Sequence, residues 1–276
     1  MVNKKNISFL IISGFVIFIV VVIILIDNFG NSETYRERNT AKRKLEEFGL
    51  NYVKWGDEIH LQNQNITVTG NKTYLDVCGD CSTGTKCTGC SGGTNLRDVS
   101  TNPTSSRDNK SGTWKFDIIT NEQAFRDNPD YIIYGDIVYV HSLAEGYLDA
   151  CGFCGDNDKR CACQYNQNVY DVIVNSDPER DERGTGTWKI ISAIGIPEGK
   201  FIEYGADIYL ENQLIDETRE LGPTFLDVCG KCDRDGRGRK CAGSSCVRSN
   251  RGDVTTSHTP TRVEGSGTWK IEKADG

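Results

Sequence analysis

A short segment recurs three times along this chain, and it restricts the fold more than any other feature. Ser111-Gly112-Thr113-Trp114-Lys115 returns at 185–189 and again at 266–270. Two further segments recur in the same order. The first of these segments starts with an aromatic residue, Leu and Asp and ends with Cys-Gly; its three copies are Tyr74–Gly79, Tyr147–Gly152 and Phe225–Gly230. Those that open each unit are Gly56–Leu61, Gly135–Val140 and Gly205–Leu210. Three ordered copies indicate an internal repeat whose units must fold together to bury their apolar faces.

Each unit contains four segments of strand type. Apolar residues at i, i+2 spacing, such as Val138 and Val140, define the first, and the Leu-Asp segment forms the second. The third strands are expected at 98–101, 171–174 and 253–256, and the fourth begin at Trp114, Trp188 and Trp269 after a Gly-Thr turn. Twelve strands with threefold symmetry predict an all-β fold, a β-trefoil, in which six strands close a barrel and three hairpins cap it. A propeller is the competing architecture, but three blades are too few to close around an axis.

The predicted domain organisation has four parts. Residues 1–6 form a short tail, 7–26 a transmembrane signal-anchor, 27–51 a juxtamembrane helical stalk, and 52–274 the trefoil, with repeats at about 52–120, 131–194 and 201–274. The run Ile7 to Ile26 is uncharged, and a bilayer core needs about 20 helical residues. A buried core helix or a cleaved signal peptide is the alternative, but a signal's apolar region is usually shorter, at about 7–15 residues, and ends at a small-residue cleavage site.

The orientation of this predicted span follows from weaker signals. Lys4 and Lys5 precede it and favour a cytoplasmic N-terminus, although basic residues between Arg36 and Lys44 follow it. A large folded body can be translocated largely regardless of its charge, and twelve cysteines are typical of an oxidising compartment. The sequence therefore predicts a single-pass protein of a virion or host membrane, with the lipid bilayer contacted through residues 7–26. Candidate glycosylation sites are Asn65, Asn71 and Asn109.

The charge of the chain excludes one class of partner. The net charge is −7, whereas a nucleic-acid-binding domain presents a basic face. The basic cluster between Arg36 and Lys44 is interleaved with glutamates, which favours a solvated helix with Glu–Lys pairs over a lipid-binding patch.

The repeated sequence pattern resembles that of a known fold family. The Tyr-Gly-Asp-Ile-x-Tyr-Val opening at 134–140, followed by Gly-Tyr-Leu-Asp at 146–149 and a Trp segment, resembles MIR-type and lectin-like trefoil modules. It is also similar, less specifically, to trefoil repeats of giant-virus and bacterial proteins. Ricin-type trefoils carry Gln two places before the Trp, where this chain has Gly112, Gly186 and Gly267. The resemblance therefore implies the fold and does not imply the ricin-type sugar site.

Each unit holds four cysteines between its second and third strands. The quartets are Cys78, Cys81, Cys87 and Cys90; Cys151, Cys154, Cys161 and Cys163; and Cys229, Cys232, Cys241 and Cys246. Two local disulfides per quartet are favoured by the inferred compartment. A tetrahedral zinc site in each quartet is the alternative. In both cases we expect each quartet to be self-contained. A thioredoxin-like redox motif would require a βαβ setting, which the pattern does not offer.

Candidate catalytic residues are few. The recurrent Asp76, Asp149 and Asp227 are interpreted as turn-capping residues rather than catalytic or calcium-binding ones, and the three tryptophans as barrel core. His60, His141 and His258 do not align between units, so no triplicated role uses histidine. Arg107, Arg180 and Arg262 recur before the Gly-Thr-Trp segments and fit either ion pairs or ligand contacts.

The functional expectation is a non-catalytic module without a cofactor, zinc at the cysteines being the alternative. A trefoil held at a membrane or virion surface is expected to bind a glycan or a surface protein, and this rests on analogy of fold. The competing class is a structural membrane or virion component in which the cysteine quartets cross-link the surface loops.

Overall fold

The computed structural model describes residues 51–66, 71–80, 96–105, 108–119, 130–153, 170–179, 183–214, 222–231, 252–261 and 264–274. All of them belong to the unit Asn51–Gly276. The tail, the span and all but the last residue of the stalk predicted from the sequence lie outside these ranges. Within the described part, no helix is both long enough and apolar enough to cross a membrane.

The described part is built from strands, as the sequence predicts. In chain order these are β1 Ile59–Asn63, β2 Thr73–Asp80, β3 Leu96–Asn102, β4 Trp114–Ile118, β5 Ile137–Ser142, β6 Gly146–Phe153, β7 Tyr170–Asn175, β8 Thr187–Ser192, β9 Asp207–Asn212, β10 Thr224–Lys231, β11 Gly252–Ser257 and β12 Trp269–Lys273. A 3-10 turn, Asp108–Lys110, lies between β3 and β4. The all-β prediction is confirmed, and each sequence unit contributes four strands.

Six of the strands form a closed, barrel-like ring. The antiparallel neighbours run β1–β12–β9–β8–β5–β4. The ring closes where β4 meets β1 through the pair Ile59 and Trp114. Every ring strand is the first or the fourth of its unit, so successive units are joined edge to edge and no unit leaves an open edge in the ring.

The second and third strands of each unit form a hairpin at one end of the ring. These hairpins are β2–β3, β6–β7 and β10–β11, and each has a β-bulge at the same place, before Gly79, Gly152 and Gly230. The three hairpins also pair with one another through β3–β7, β7–β11 and β11–β3. They therefore form a three-sided cap, in which each unit contacts both of the others.

The core lies inside the ring and beneath the cap. Alternate residues of the ring strands point inward, and Ile59, Val138 and Ile208 are fully buried at equivalent positions. The three tryptophans are also fully buried, and each indole Nε1 donates to a main-chain oxygen of the preceding hairpin, at Leu75, Leu148 or Leu226, over 2.9 to 3.0 Å. The buried indole is thus satisfied while its ring fills the core.

A second threefold feature closes the end of the ring opposite the cap. The main chains of Val53, Ile132 and Ile202 form a cycle of three hydrogen bonds, each between 2.9 and 3.0 Å long. Next to them the rings of Tyr52, Tyr131 and Phe201 contact one another with centroid distances of 5.4 to 6.1 Å. One residue from each unit contributes to each triad, so this closure exists only when all three units are folded.

Candidate functional site

An edge-to-face aromatic pair recurs on the outside of the ring near the cap. Its members are His60 and Tyr74 in unit one, Tyr139 and Tyr147 in unit two, and Tyr209 and Phe225 in unit three, with centroid distances of 5.9 to 6.2 Å. The first member lies on an outward position of the first strand, and the second precedes the repeated Leu-Asp. Because all three units have the pair, it belongs to the fold rather than to one function.

Unit two adds polar groups to this pair. The His141 ring stacks on Tyr147 with the centroids 4.4 Å apart, and its Nδ1 donates to Asp117 Oδ2 over 2.9 Å. Tyr139 Oη donates to Glu179 Oε1 over 2.6 Å. We call these five residues, Asp117, Tyr139, His141, Tyr147 and Glu179, the unit-two face. They come from β4, β5, β6 and the turn after β7, so four neighbouring segments of the chain converge there.

Asp117 of the unit-two face is held ionised by its partners. Burial alone raises the pKa of Asp117, but the hydrogen bond from His141 and the charge of Lys115, 3.4 Å away, outweigh it and lower the pKa below its ordinary value of 3.8. Burial raises the pKa of the Tyr139 hydroxyl, and the adjacent Glu179 carboxylate raises it further, so this hydroxyl remains a donor. The face therefore presents aromatic surface beside two carboxylates.

The equivalent positions in the other units carry a different set of groups. In unit one, Glu272 holds the place of Asp117 and its side chain is hydrogen-bonded to Tyr74. In unit one, His60 is buried and its Nδ1 donates to the main-chain oxygen of Gly112 over 2.8 Å. Gln62 stands where unit two has His141, and its Nε2 donates to Tyr74 Oη over 2.9 Å. In unit three, Glu211 and Phe225 replace the stacked His–Tyr pair. The threefold fold does not require the unit-two face, which marks it as the candidate site.

A hydrolytic reading of His141 and Asp117 finds no support in the described part of the chain. A carboxylate that orients a histidine is two thirds of a nucleophilic triad. The third group would bond to Nε2 of His141, and no described side chain does so. The pair instead fixes the imidazole ring against Tyr147.

The recurrent aspartates lie elsewhere and differ from their interpretation as turn caps. Asp76, Asp149 and Asp227 are fully buried within β2, β6 and β10. Asp76 Oδ1 accepts a 2.6 Å hydrogen bond from the Ser111 hydroxyl. The main-chain N–H that follows each aspartate donates to the oxygen of Ser111, Thr185 or Ser266. The Asp76 side chain therefore fastens its hairpin to the segment before the tryptophan. In all three units the main chain that follows the aspartate makes a hydrogen bond to this segment.

Most of the cysteines and the recurrent arginines fall outside the described residues. Arg107, Arg180, Arg262 and the last three cysteines of each quartet are among these. The backbone positions of Cys78, Cys151 and Cys229 are described, and each is the extra residue of its hairpin's bulge. Among the described side chains, no group of three His, Cys, Asp or Glu residues is arranged to hold a metal ion.

The fold separates the three candidate glycosylation sites. Asn65 is 1% exposed, whereas Asn71 and Asn109 are exposed. Asn109 sits in the 3-10 turn with a positive φ of 43°, a conformation that asparagine tolerates better than most residues. A glycan therefore fits the folded chain at Asn71 and Asn109, and the fold has no room for one at Asn65.

Recurring motifs do not reveal the unit-two face, because its polar groups do not recur in the other units. The histidines do not align between units, and Glu179 lies in none of the recurring segments. The signal that could have found the face is a difference between the units: at the position of His141, the other units have Gln62 and Glu211.

Comparison with known proteins supports the fold and goes no further. No protein-family model matches the chain, and no curated protein matches it. Among solved structures it is similar to a Caenorhabditis elegans protein of unknown function, with a TM-score of 0.50, 15% identity, and coverage of 81% of this chain and 98% of that one. The SDF2-like protein from Arabidopsis thaliana has a TM-score of 0.46 at 14% identity, with coverage of 80% and 95%. At these identities, the likeness to the first shows a shared all-β, barrel-like fold.

Proposed function

We propose that this chain is a membrane-anchored, non-catalytic β-trefoil that binds a glycan through the unit-two face. The trefoil assignment is supported by the six-stranded ring, the three-sided cap and the threefold repetition of both. The anchor is supported by the apolar run at residues 7–26 and by the length a bilayer core requires.

The observation that carries the binding proposal is the difference between unit two and its two equivalents. All three units have an aromatic pair at this place, and among the described residues only unit two combines it with a stacked imidazole and two hydrogen-bonded carboxylates. Flat aromatic surface favours the apolar face of a sugar ring, and carboxylate oxygens accept hydrogen bonds from sugar hydroxyls. Charge-assisted hydrogen bonds of this kind are about twice as strong as neutral ones.

The side chains of the unit-two face are already held in place. His141 is fixed by its stacking on Tyr147 and by its bond to Asp117, and Tyr139 is fixed by Glu179. Ordering a rotamer-rich side chain on binding costs about 0.5–1.5 kcal/mol. Because these side chains are already ordered, binding avoids most of this cost. A hydroxyl-rich ligand that binds with low affinity benefits most from such an ordered surface.

A glycan array probed with the full-length chain in detergent tests the proposal. Saturable binding to a defined set of glycans is the expected result. An array without binding, together with a stable protein partner recovered from the same membrane, would contradict the proposal and favour the structural role. Exposed Ile194 and Ile196, on the loop after β8, are the described apolar residues from which such a protein interface would be built.

A further inference from the structure

Two large apolar side chains are held out into solvent on one loop. Ile194 is 74% exposed and Ile196 is 37% exposed, and both lie on the loop 193–200 that follows β8. The other large exposed apolar side chain of the described part, Ile66, lies apart from them, after β1. Single exposed apolar residues are normal on protein surfaces, whereas grouped ones mark contact surfaces.

The loop 193–200 is ordered by hydrogen bonds at both of its ends. Ser192 Oγ accepts from the main-chain N–H of Ile194 over 3.3 Å and from that of Ile196 over 3.0 Å. Gly199 N donates to the main-chain oxygen of Tyr134 over 2.8 Å. The fold thus displays the two isoleucines in a fixed arrangement, and a partner can bury them without first ordering the chain.

This loop lies at the closing end of the ring, by which we mean the end opposite the cap. The loop ends at Lys200, and the next residue, Phe201, belongs to the aromatic triad of that end. The described chain also enters the domain there, because the Asn51 oxygen accepts from Tyr204 N over 2.9 Å. The apolar run 7–26 precedes this entry point in the chain. The exposed isoleucines are therefore on the end of the domain to which the proposed anchor is joined.

The closing end also carries aromatic rings and lysines. Four of its aromatic side chains are neither buried nor fully exposed: Tyr52, Trp55, Phe201 and Tyr204. Lys54 Nζ lies 5.4 Å from the ring centroid of Tyr131, and Lys273 Nζ lies 5.8 Å from that of Tyr204. Tyrosine and tryptophan are enriched where a membrane meets water, and a lysine keeps its ammonium in water while its stem covers apolar surface. These side chains suit the interfacial region of a bilayer.

The charges at the closing end do not select an anionic lipid. Its exposed residues include Lys54, Lys200 and Glu203, so both signs are present. The exposed Glu198 of the loop is paired with Lys189, with Oε1 and Nζ 2.7 Å apart. A contact with lipid there would rest on the apolar side chains, so it applies to a zwitterionic bilayer as well.

We propose that the loop 193–200 inserts Ile194 and Ile196 into the interfacial region of the bilayer that residues 7–26 span. This inference rests on the anchor of the proposed function. The contact turns the closing end of the ring toward the bilayer. The unit-two face lies near the cap, so it stays accessible to a ligand.

Fluorescence quenching by brominated phosphatidylcholine tests the contact, in vesicles that hold the full-length chain. Ile194→Trp adds an indole to the loop, and Thr259→Trp is the matched control, because Thr259 is exposed just after β11 of the cap. Interfacial apolar side chains lie about 5–10 Å deep, within reach of brominated acyl chains, so we expect emission from the added indole of Ile194→Trp to fall about twofold. Emission from the added indole of Thr259→Trp should be unchanged.

Flotation of the vesicles after an alkaline wash separates this proposal from the anchor itself. A chain that floats, with equal quenching of the two added indoles or with none of either, would overturn the loop contact and leave the anchor in place. A chain that does not float would overturn both. Ile196→Trp repeats the measurement if Ile194→Trp fails to fold. A dimer in detergent that Ile194→Ser dissociates would assign the loop to a second copy of the chain and would also overturn the proposal.

Discussion

Among single residues, the glycine before each repeated tryptophan is fixed by the space around it. A Cβ at Gly112 or Gly267 would lie 2.5 Å from the main-chain oxygen of Ser105 or Pro260, and a Cβ at Gly186 would lie closer still to the main-chain oxygen of Pro178. The same crowding explains why a glutamine, as in ricin-type trefoils, has no place here. The glycine of the repeated Gly-Thr-Trp segment is therefore required by the close approach of two backbone segments.

Replacing this glycine should destabilise the fold. We expect Gly186→Ala to lower the free energy of unfolding by about 1–3 kcal/mol, since the added methyl must displace a backbone carbonyl. Gly222→Ala is the control, because a Cβ there meets nothing within 4 Å, and it should stay within about 0.5 kcal/mol of wild type. Urea unfolding of both variants measures the difference, and equal stability of the two would contradict the steric account.

The lowered pKa of Asp117 predicts an acid-sensitive contribution to stability. A carboxyl whose pKa is lower in the folded state stabilises the fold above its unfolded pKa and loses this contribution as the pH falls through the folded value. The stability difference between wild type and Asp117→Asn should therefore shrink below about pH 4. Denaturant unfolding at stepped pH measures it, and a difference that persists to the lowest pH would show that the bond to His141 does not hold the charge.

At the scale of the elements, buried amides join neighbouring units. Asn63 ends β1 and its Nδ2 donates to the Ser266 oxygen over 2.9 Å, and Asn212 ends β9 and donates to the Thr185 oxygen over 2.8 Å. The side chains of both also accept from the main-chain N–H two residues later. Ser142 holds the equivalent place at the end of β5 and keeps only the second of these bonds, to Ala144 N. One of the three junctions thus lacks its amide.

Restoring this amide should stabilise the chain. We expect Ser142→Asn to gain about 1 kcal/mol, because the new Nδ2 can reach the Ser111 oxygen that corresponds to the acceptors in the other units. The reverse change, Asn212→Ser, should cost a similar amount. Chemical denaturation of the two variants checks the signs, and a loss in Ser142→Asn would mean that this junction packs too tightly for the repeat to be completed.

The cysteine quartets belong to the hairpins, and we predict that each is cross-linked only within itself. The first cysteine of every quartet lies at the same bulge of its own hairpin, so the loops start from equivalent, separate places. Mass mapping of non-reduced peptides should find pairs only within residues 78–90, 151–163 and 229–246. Peptides linked across units would refute this, and free thiols with three zinc ions per chain would replace the disulfides by metal.

The strands were predictable because repetition makes weak local patterns reinforce one another. A pair such as Ile59 and Leu61 is a slight signal alone and a strong one when Val138 and Val140 repeat it. The burial of Asp76 was not predictable, since its partner Ser111 lies 35 residues away. A local rule for aspartate before a glycine describes turns and says nothing about a segment that packs behind the strand.

For the whole molecule, the three repeated units could be predicted from the sequence, but the contacts on the threefold axis could not. The triad of Tyr52, Tyr131 and Phe201 does follow an aromatic-aliphatic repeat, at 52–53, 131–132 and 201–202. The sequence repeat alone does not show that these three rings contact one another, because that contact requires the closed ring of strands. The unit-two face escaped prediction for the opposite reason, because it is the place where the repeat is broken.

Threefold repetition also supplies the control for the central claim that the unit-two face binds the ligand. Tyr147 and Phe225 hold the same place in their units and make the same edge-to-face contact, with Tyr139 and Tyr209 respectively. Titration of wild type, Tyr147→Ala and Phe225→Ala with the best-bound glycan of the array is the most direct measurement. We predict that Tyr147→Ala weakens binding at least tenfold and that Phe225→Ala leaves it within about twofold, where tenfold corresponds to about 1.4 kcal/mol. Equal effects of the two substitutions would contradict the account.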